Sequence, residues 1–354
     1  MDGGGHFLKL CLSIFEIKED EIDENLEMPI KKRRRSIKTD FLCTGVKKSF
    51  IIAIGENISE MYDNIQKIFS AIENFDSIKF FMCNDLKATA IIMGIQNANA
   101  IFPCPICEVN DLGINHDHTK NHELRTLSSI ITNATNFKQS NCKRSEARQY
   151  KSCIEIPLIP GEPDVLVGDI IVPPELHIMQ GIVKHLFENM SKEWDGATAW
   201  LEELGLKQQK YHKGTFLGNH CHKMLLNIDV LRRIAPLHIV KYVTTFEHFS
   251  MVVHSAFAMT LRKDYAQHIQ HFTVAFMDLE ISVTLKVHMV MAHVAEFCNK
   301  FGALGWYSEQ ATESSQSDFK KNTLEKHNFQ RPLESPDYAQ NLLQAVIVHN
   351  STRI

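Results

Sequence analysis

From Pro174 to Leu279 the apolar residues recur at the three- and four-residue spacing of a helical face, and this period limits the fold more than any other feature. Leu176, Met179, Val183, Leu186, Phe187 and Met190 line one face; Leu225, Ile228 and Leu231, then Val243, Phe246 and Phe249, then Ile269, Phe272, Phe276 and Leu279 line others. Stripes of this kind are buried against one another, so several packed helices are expected here.

The first hundred residues follow a different pattern. Phe7 to Phe15 (FLKLCLSIF) and Ser49 to Ile54 (SFIIAI) are strand candidates, separated by a charged excursion over 16–46 that suits a long hairpin connection. Ile58, Met61, Ile65, Ile68 and Ile72 then predict a helix, with Asn57 and Glu60 as a capping box. Ser77 to Asn84 (SIKFFMCN) predicts a strand that ends at Asp85, and Leu86 to Met93 a helix that stops near Gly94. Strand, strand, helix, strand, helix is the order of a ribonuclease-H-like sheet. Residues 101–160 lose periodicity and close on PLIPGEPD, which reads as an insertion of loops and short elements, and Tyr338 to Val348 predicts a last short helix.

Composition narrows the function classes. With 44% hydrophobic residues in 354 the chain can fill a core, and no run of about 18 uncharged apolar residues suggests a membrane span. Nine cysteines, an odd number spread along the chain, read as core residues or metal ligands in a reducing compartment, not as a disulfide framework. A net charge of -4 gives no global attraction to nucleic acid. Any such contact needs a local patch. Lys31, Lys32, Arg33, Arg34 and Arg35, followed by Lys38, Lys47 and Lys48, supply one, which reads equally as a solvated loop, a nuclear-import signal or a phosphate-contacting arm.

Three groups of residues could carry chemistry. Asp85 stands where a strand hands over to a helix, a place for a reactive acid and equally for a helix N-cap. Cys104 and Cys107 have the C-x-x-C spacing at which two thiolates share a tetrahedral zinc, but two more ligands are required. Candidates are the local His116, His118 and His122 or the distant His288 and His293 of LKVHMVMAH. Five residues of straight α-helix would turn the second of those rings by about 140° from the first, so the distant pair needs local unwinding or a helix end. Glu309 and Glu313 lie four apart, on one face of any helix there, where exposed glutamates are commonly just solvated.

In series, these segments resemble a known family. DGGGHFLKLCLSIF (2–15) resembles a first catalytic strand, CNDLK (83–87) a second catalytic acid, and FPCPICEVN (102–110), with the following HDHTKNHELRTL, a zinc-binding C-x-x-C region. VPPELHIMQGIVKHLF (172–187) and FLGNHCHKMLLN (216–227) resemble two helical landmarks, SVTLKVHMVMAHVAEFC (282–298) the segment with the zinc histidines, and GALGWYSEQATESSQSDFKK (302–321) a catalytic-glutamate helix. The chain is thereby similar to the DDE catalytic core of the recombination-activating-gene recombinase and the Transib transposases.

The resemblance implies an α/β fold in which a ribonuclease-H-like mixed sheet (1–103) is interrupted by a large, mainly helical zinc-binding insertion (104–298) and followed by the glutamate helix and a tail (299–354). It implies Asp2, Asp85 and Glu313, rather than Glu309, as carboxylates for two Mg²⁺ or Mn²⁺ ions, and a structural Zn²⁺ on Cys104, Cys107, His288 and His293. The implied activity is DNA strand cleavage and transfer in the nucleus, with DNA as partner, no membrane association, and a homodimer if an upstream region is present. Because the match starts almost at the first residue, the upstream recognition and dimerisation regions of such enzymes have no counterpart. A truncated or repurposed element is therefore expected, with a catalytically inactive, zinc-stabilised DNA- or chromatin-associated protein as the alternative.

Overall fold

The computed structural model describes residues 7–13, 49–56, 58–72, 80–110, 112–113, 122–208, 215–308, 319 and 338–351. It is mostly helical, with one two-stranded sheet among the described residues. The chain divides into two compact units, Met1–Glu21 with Lys31–Glu73 and Ser308–Ile354, and Ile22–Ile30 with Asn74–Tyr307. Asp85 and the C-x-x-C fall in the same unit as the helical region because residues 92–96 are tied to 152–158 by backbone bonds, Ile154 N–H and Glu155 N–H to Gly94 O and Leu158 N–H to Ile92 O among them.

In the first unit β1 (Phe7–Ser13) and β2 (Ser49–Glu56) pair antiparallel, from Phe7 opposite Glu56 to Ser13 opposite Ser49. The register shifts between Leu10, opposite Ala53, and Cys11, opposite Ile51, so Ile52 is the extra residue of a bulge. Beside it the Asn350 side chain takes the place of a missing strand: its Oδ1 accepts from Ile51 N–H (3.0 Å) and its Nδ2 donates to Ile51 O (2.9 Å). Ile51, Phe319, Leu342 and Val346 form the core of this unit, the last two from the helix Tyr338–Ser351. Lys9 is buried with its ammonium 5.5 Å from the Phe319 ring centroid. Helix α1 (Tyr62–Ser70) starts later than predicted. Its N-cap is Met61 without a side-chain bond, Ile58 and Met61 are exposed, and only Ile65 and Phe69 are buried. Ser59 accepts from the Asn64 side chain at the approach to the helix, and Asn57 of the predicted Asn57–Glu60 box lies outside the described residues.

The second unit corrects two expectations. Of the strand predicted over 77–84, residues 77–79 lie outside the described residues, and the remainder makes one isolated parallel bridge, Met82 with Ile171. Side-chain packing holds this segment: the Phe81 ring lies 5.1 Å from Phe301 and 5.0 Å from Tyr307. The ribonuclease-H-like mixed sheet is thus not seen among the described residues. Helix α2 (Leu86–Ile92) follows as predicted. Residues 101–160, predicted irregular, contain the fourteen-residue helix α3 (Leu127–Ser140). Its sequence is rich in Ser, Thr and Asn, which compete with the backbone for hydrogen bonds and obscure a helical stretch. Burial of Leu127, Ile130 and Ala134, together with a reciprocal Thr126–Ser129 capping box, stabilises it.

The predicted helical region is helical. It comprises α4 (Glu175–Glu193), α5 (Ala197–Glu203), α6 (Gly218–Leu226), α7 (Ile228–Ile234), α8 (Val240–Ser255) and α9 (Tyr265–Met277). Phe246, Phe249, Phe272 and Phe276 are fully buried between α8, α9 and their neighbours, each worth about 2–3 kcal/mol relative to exposure. Trp200 of α5 packs edge-on to Phe246 at 5.2 Å. The last segment runs as α10 (Leu285–Met289), a π-helical stretch (Val290–Val294) and α11 (Ala295–Phe301). It packs on α4, where His185 Nε2 lies 2.8 Å from Ser282 O.

Two glycines with left-handed φ make opposite demands. Gly94 (φ +68°) sits against the Glu155 carbonyl, which an added Cβ would overlap, whereas Gly205 (φ +61°) has open space around it. Gly94→Ala is predicted to lower the unfolding free energy by about 3 kcal/mol and Gly205→Ala by about 1 kcal/mol, read from urea unfolding midpoints.

Candidate metal centre

The Cys104–Cys107 turn is built where three short segments pair. Arg125 N–H donates to Ile106 O (2.8 Å), Glu108 N–H to Glu123 O (2.9 Å) and Val167 N–H to Arg125 O (2.9 Å), and Cys107 and Leu124 form a bridge. Inside the turn, Ile106 N–H points at Cys104 Sγ (3.4 Å) and Val109 N–H bonds Cys107. Each sulfur therefore receives the amide two residues ahead of it, a backbone shape that suits thiolates because each negative sulfur gains a donor.

Arg125 fixes the turn from behind. It is fully buried; its Nε donates to Cys104 O (3.0 Å) and Cys107 O (3.2 Å), one terminal nitrogen to Lys151 O (2.9 Å), and the other lies 3.4 Å from Cys153 Sγ. The guanidinium thus ties together both cysteines' carbonyls and places a positive charge beside the thiols. Burial pushes the Cys153 thiol up to about 11, against the opposing pull of Arg125.

The histidines come from the last helical segment. Thr284 caps α10 by accepting from Val287 N–H. The π-helical stretch then supplies the unwinding that the spacing of His288 and His293 requires: i to i+5 bonding stacks residues five apart on one face. The two rings stand 5.1 Å apart at 81°. Both reach the cysteines, with His293 Nε2 3.3 Å from Cys104 Sγ and His288 Nε2 3.3 Å from Cys107 Sγ.

All four side chains are buried, and their ligand atoms lie within 4.8 Å of one another. A tetrahedral zinc with bonds of about 2.3 Å to sulfur and 2.0–2.1 Å to nitrogen has ligand edges of about 3.3–3.8 Å, so this donor set fits such an ion in element, number and spacing. The cluster could therefore bind a structural metal such as zinc. Burial raises the Cys104 thiol, but the hydrogen bond from Cys107 and the facing His293 and His288 outweigh it and hold Cys104 well below the ordinary thiol range. That same bond, then burial, pushes Cys107 up. One ring atom departs from the usual pattern: His288 Nδ1 is buried without a hydrogen-bond partner, where a metal-binding imidazole ordinarily donates from its second nitrogen. The His122 ring stands 6.1 Å from His288.

Asp85 caps α2, its Oδ1 accepting from Ala88 N–H at 2.6 Å. Asp2, Glu309 and Glu313 lie outside the described residues, as do His116, His118 and the Lys31–Arg35 run. Sequence reasoning missed Arg125. A lone arginine between two strand-like segments carries no motif, and its role follows only from its burial.

A family model described as a domain of unknown function (DUF8703) matches residues 12–142, less than half of the chain. The matched span includes Asp85, Cys104, Cys107 and Arg125 and stops before both histidines. No curated protein matches the chain.

Arg125→Met is predicted to destabilise the protein by about 3 kcal/mol or more, because several buried acceptors lose their donor together. Arg125→Lys should recover only part of this, since an ammonium cannot span the same acceptors. Urea unfolding of the two variants checks the order.

Proposed function

We propose that the chain is a zinc-stabilised, DNA-acting protein built on a DDE transposase core of the recombination-activating-gene and Transib kind, working on DNA in the nucleus. The observation that carries this reading is the meeting of Cys104 and Cys107 with His288 and His293, which are the ligands that the resemblance implies. Zinc, when bound there, supplies a structural cross-link between the C-x-x-C turn and the α10–α11 segment. The chain's own residues prepare the place: Ile106 and Val109 amides stabilise the sulfurs, Arg125 fixes the turn, and the π-helical stretch aims both imidazoles.

Strand cleavage and transfer would fall to Asp85 with Asp2 and Glu313. Oxygen donors suit hard ions, and Mg²⁺ or Mn²⁺ held by three carboxylates supplies the charge that such phosphodiester chemistry needs. Asp85 uses Oδ1 for the cap of α2, and its Oδ2 remains a second acceptor. A ribonuclease-H-like arrangement around these acids belongs to the same proposal.

One observation favours a second reading, a non-catalytic relative that retains the zinc and DNA association. Asp85 serves as the N-cap of α2, a role such an acid fills without any metal ion.

Asp85→Asn separates the two. Asn caps a helix as well as Asp, so the variant should unfold at the wild-type temperature. The enzyme reading predicts Mn²⁺-dependent nicking of supercoiled DNA by the wild type and its loss in both Asp85→Asn and Glu313→Gln. Nicking that survives either change overturns the assignment of the acids; DNA retention without any nicking selects the second reading. Cys104→Ser is expected to remove bound zinc and lower the melting temperature together, whichever reading holds.

A further inference from the structure

The seam between α8 and α9 carries three histidines that neither the resemblance nor the cysteine–histidine cluster uses. The two helices make the most extensive helix–helix contact in the second unit. Their alignment is fixed by Thr245 Oγ1 donating to Ala275 O (3.0 Å) and by the Phe249 and Phe272 rings 5.1 Å apart. In that alignment His248 of α8 comes beside His271 of α9, ring centroids 5.5 Å apart with planes at 59°. His268 stands three residues before His271 on the same helix, and its Nε2 lies 3.3 Å from Asp264 Oδ2. Asp264 is itself held by Arg262 through two contacts of 3.2 Å.

The ring nitrogens that remain are the informative ones. Nδ1 of His248 and Nδ1 of His268 are both buried and without a hydrogen-bond partner. A carboxylate that holds one imidazole nitrogen while the other is left bare is how proteins orient histidine toward a metal ion. Two bare imidazole nitrogens in this seam carry a desolvation cost that a bound ion would offset.

We propose that His248, His268 and His271 form a second metal site, specific for a divalent transition-metal ion, with Asp264 orienting His268. Imidazole donors suit Zn²⁺, Cu²⁺, Ni²⁺ and Co²⁺ and disfavour Mg²⁺ and Ca²⁺, which take oxygen. The His248 and His271 rings are neighbours, but the ligand atoms of the three histidines do not meet as those of the cysteine–histidine cluster do, so binding requires these side chains to turn toward the ion, the exposed His271 first. Three ligands leave coordination positions for water or a further ligand, so this ion exchanges where the four-ligand ion does not. Burial lowers the His248 pKa, with His271 adding to the effect against Glu247; burial likewise lowers that of His268, with Asp264 opposing and Arg262, His271 and His248 adding. Both rings are therefore biased toward the neutral form that binds metal.

Co²⁺ titration of the full, untagged chain, followed by absorption and equilibrium dialysis, tests this independently of any DNA activity. Cobalt at Cys104 and Cys107 shows thiolate-to-metal charge transfer, and cobalt on three imidazoles does not. The expected result is an equivalent of Co²⁺ without charge transfer that disappears in the His248→Ala/His268→Ala double variant and weakens by about tenfold or more in Asp264→Asn. His271→Ala, at an exposed position that leaves the helix packing in place, should also lose it and covers the case in which the double variant fails to fold. The proposal is overturned if all bound cobalt shows charge transfer, or if the histidine-type equivalent persists in His271→Ala. Failure of the cysteine–histidine reading looks different: charge transfer is then absent while the histidine-type equivalent remains.

Discussion

Two thiols and two imidazoles meet in the buried interior of the second unit from segments 189 and 181 residues apart. A link across a loop of that length removes a large share of the unfolded chain's freedom, about 5 kcal/mol in the chain-entropy account of cross-links. The four groups are buried together before any ion joins them. With one, the same groups become a cross-link. The Arg125 brace, the amides at Ile106 and Val109 and the π-helical stretch all serve this convergence, and each is local in sequence while the result is long-range.

The histidine seam between α8 and α9 contrasts with that closed cluster. One set of ligands is sealed by burial and fixed from behind by a guanidinium; the other is open at His271 and oriented by a surface carboxylate. Closed tetrahedral sites hold structure, whereas sites with free positions exchange. The two occupy the same unit and draw on helices packed against each other, since α9 contacts the π-helical stretch that aims the cluster's histidines.

Much of this was legible in the sequence where a single physical rule dominates. The helical faces of α4, α8 and α9 were visible because their buried Leu, Val and Phe residues repeat with the helix. The strands β1 and β2 were visible because both runs are rich in β-favouring residues. The five-residue spacing of His288 and His293 even announced its own difficulty, and the π-helical stretch resolves it. Legibility ended where tertiary contacts outvote local preference. Helix α3 is made of residues that favour turns and stands through its capping box and buried face. The Phe80–Asp85 segment has strand-like residues but is held by aromatic packing against Phe301 and Tyr307. Asn350 replaces a strand edge with one side chain, and His248 meets His271 across two helices; no pattern along the chain displays either.

The account stands on an ion coordinated by Cys104, Cys107, His288 and His293. X-ray absorption at the zinc edge of the purified His271→Ala chain, in which the seam site is disabled, is predicted to resolve two sulfur neighbours at about 2.3 Å and two nitrogen neighbours at about 2.0–2.1 Å. A shell of nitrogen and oxygen alone, or a folded protein without zinc, would contradict it.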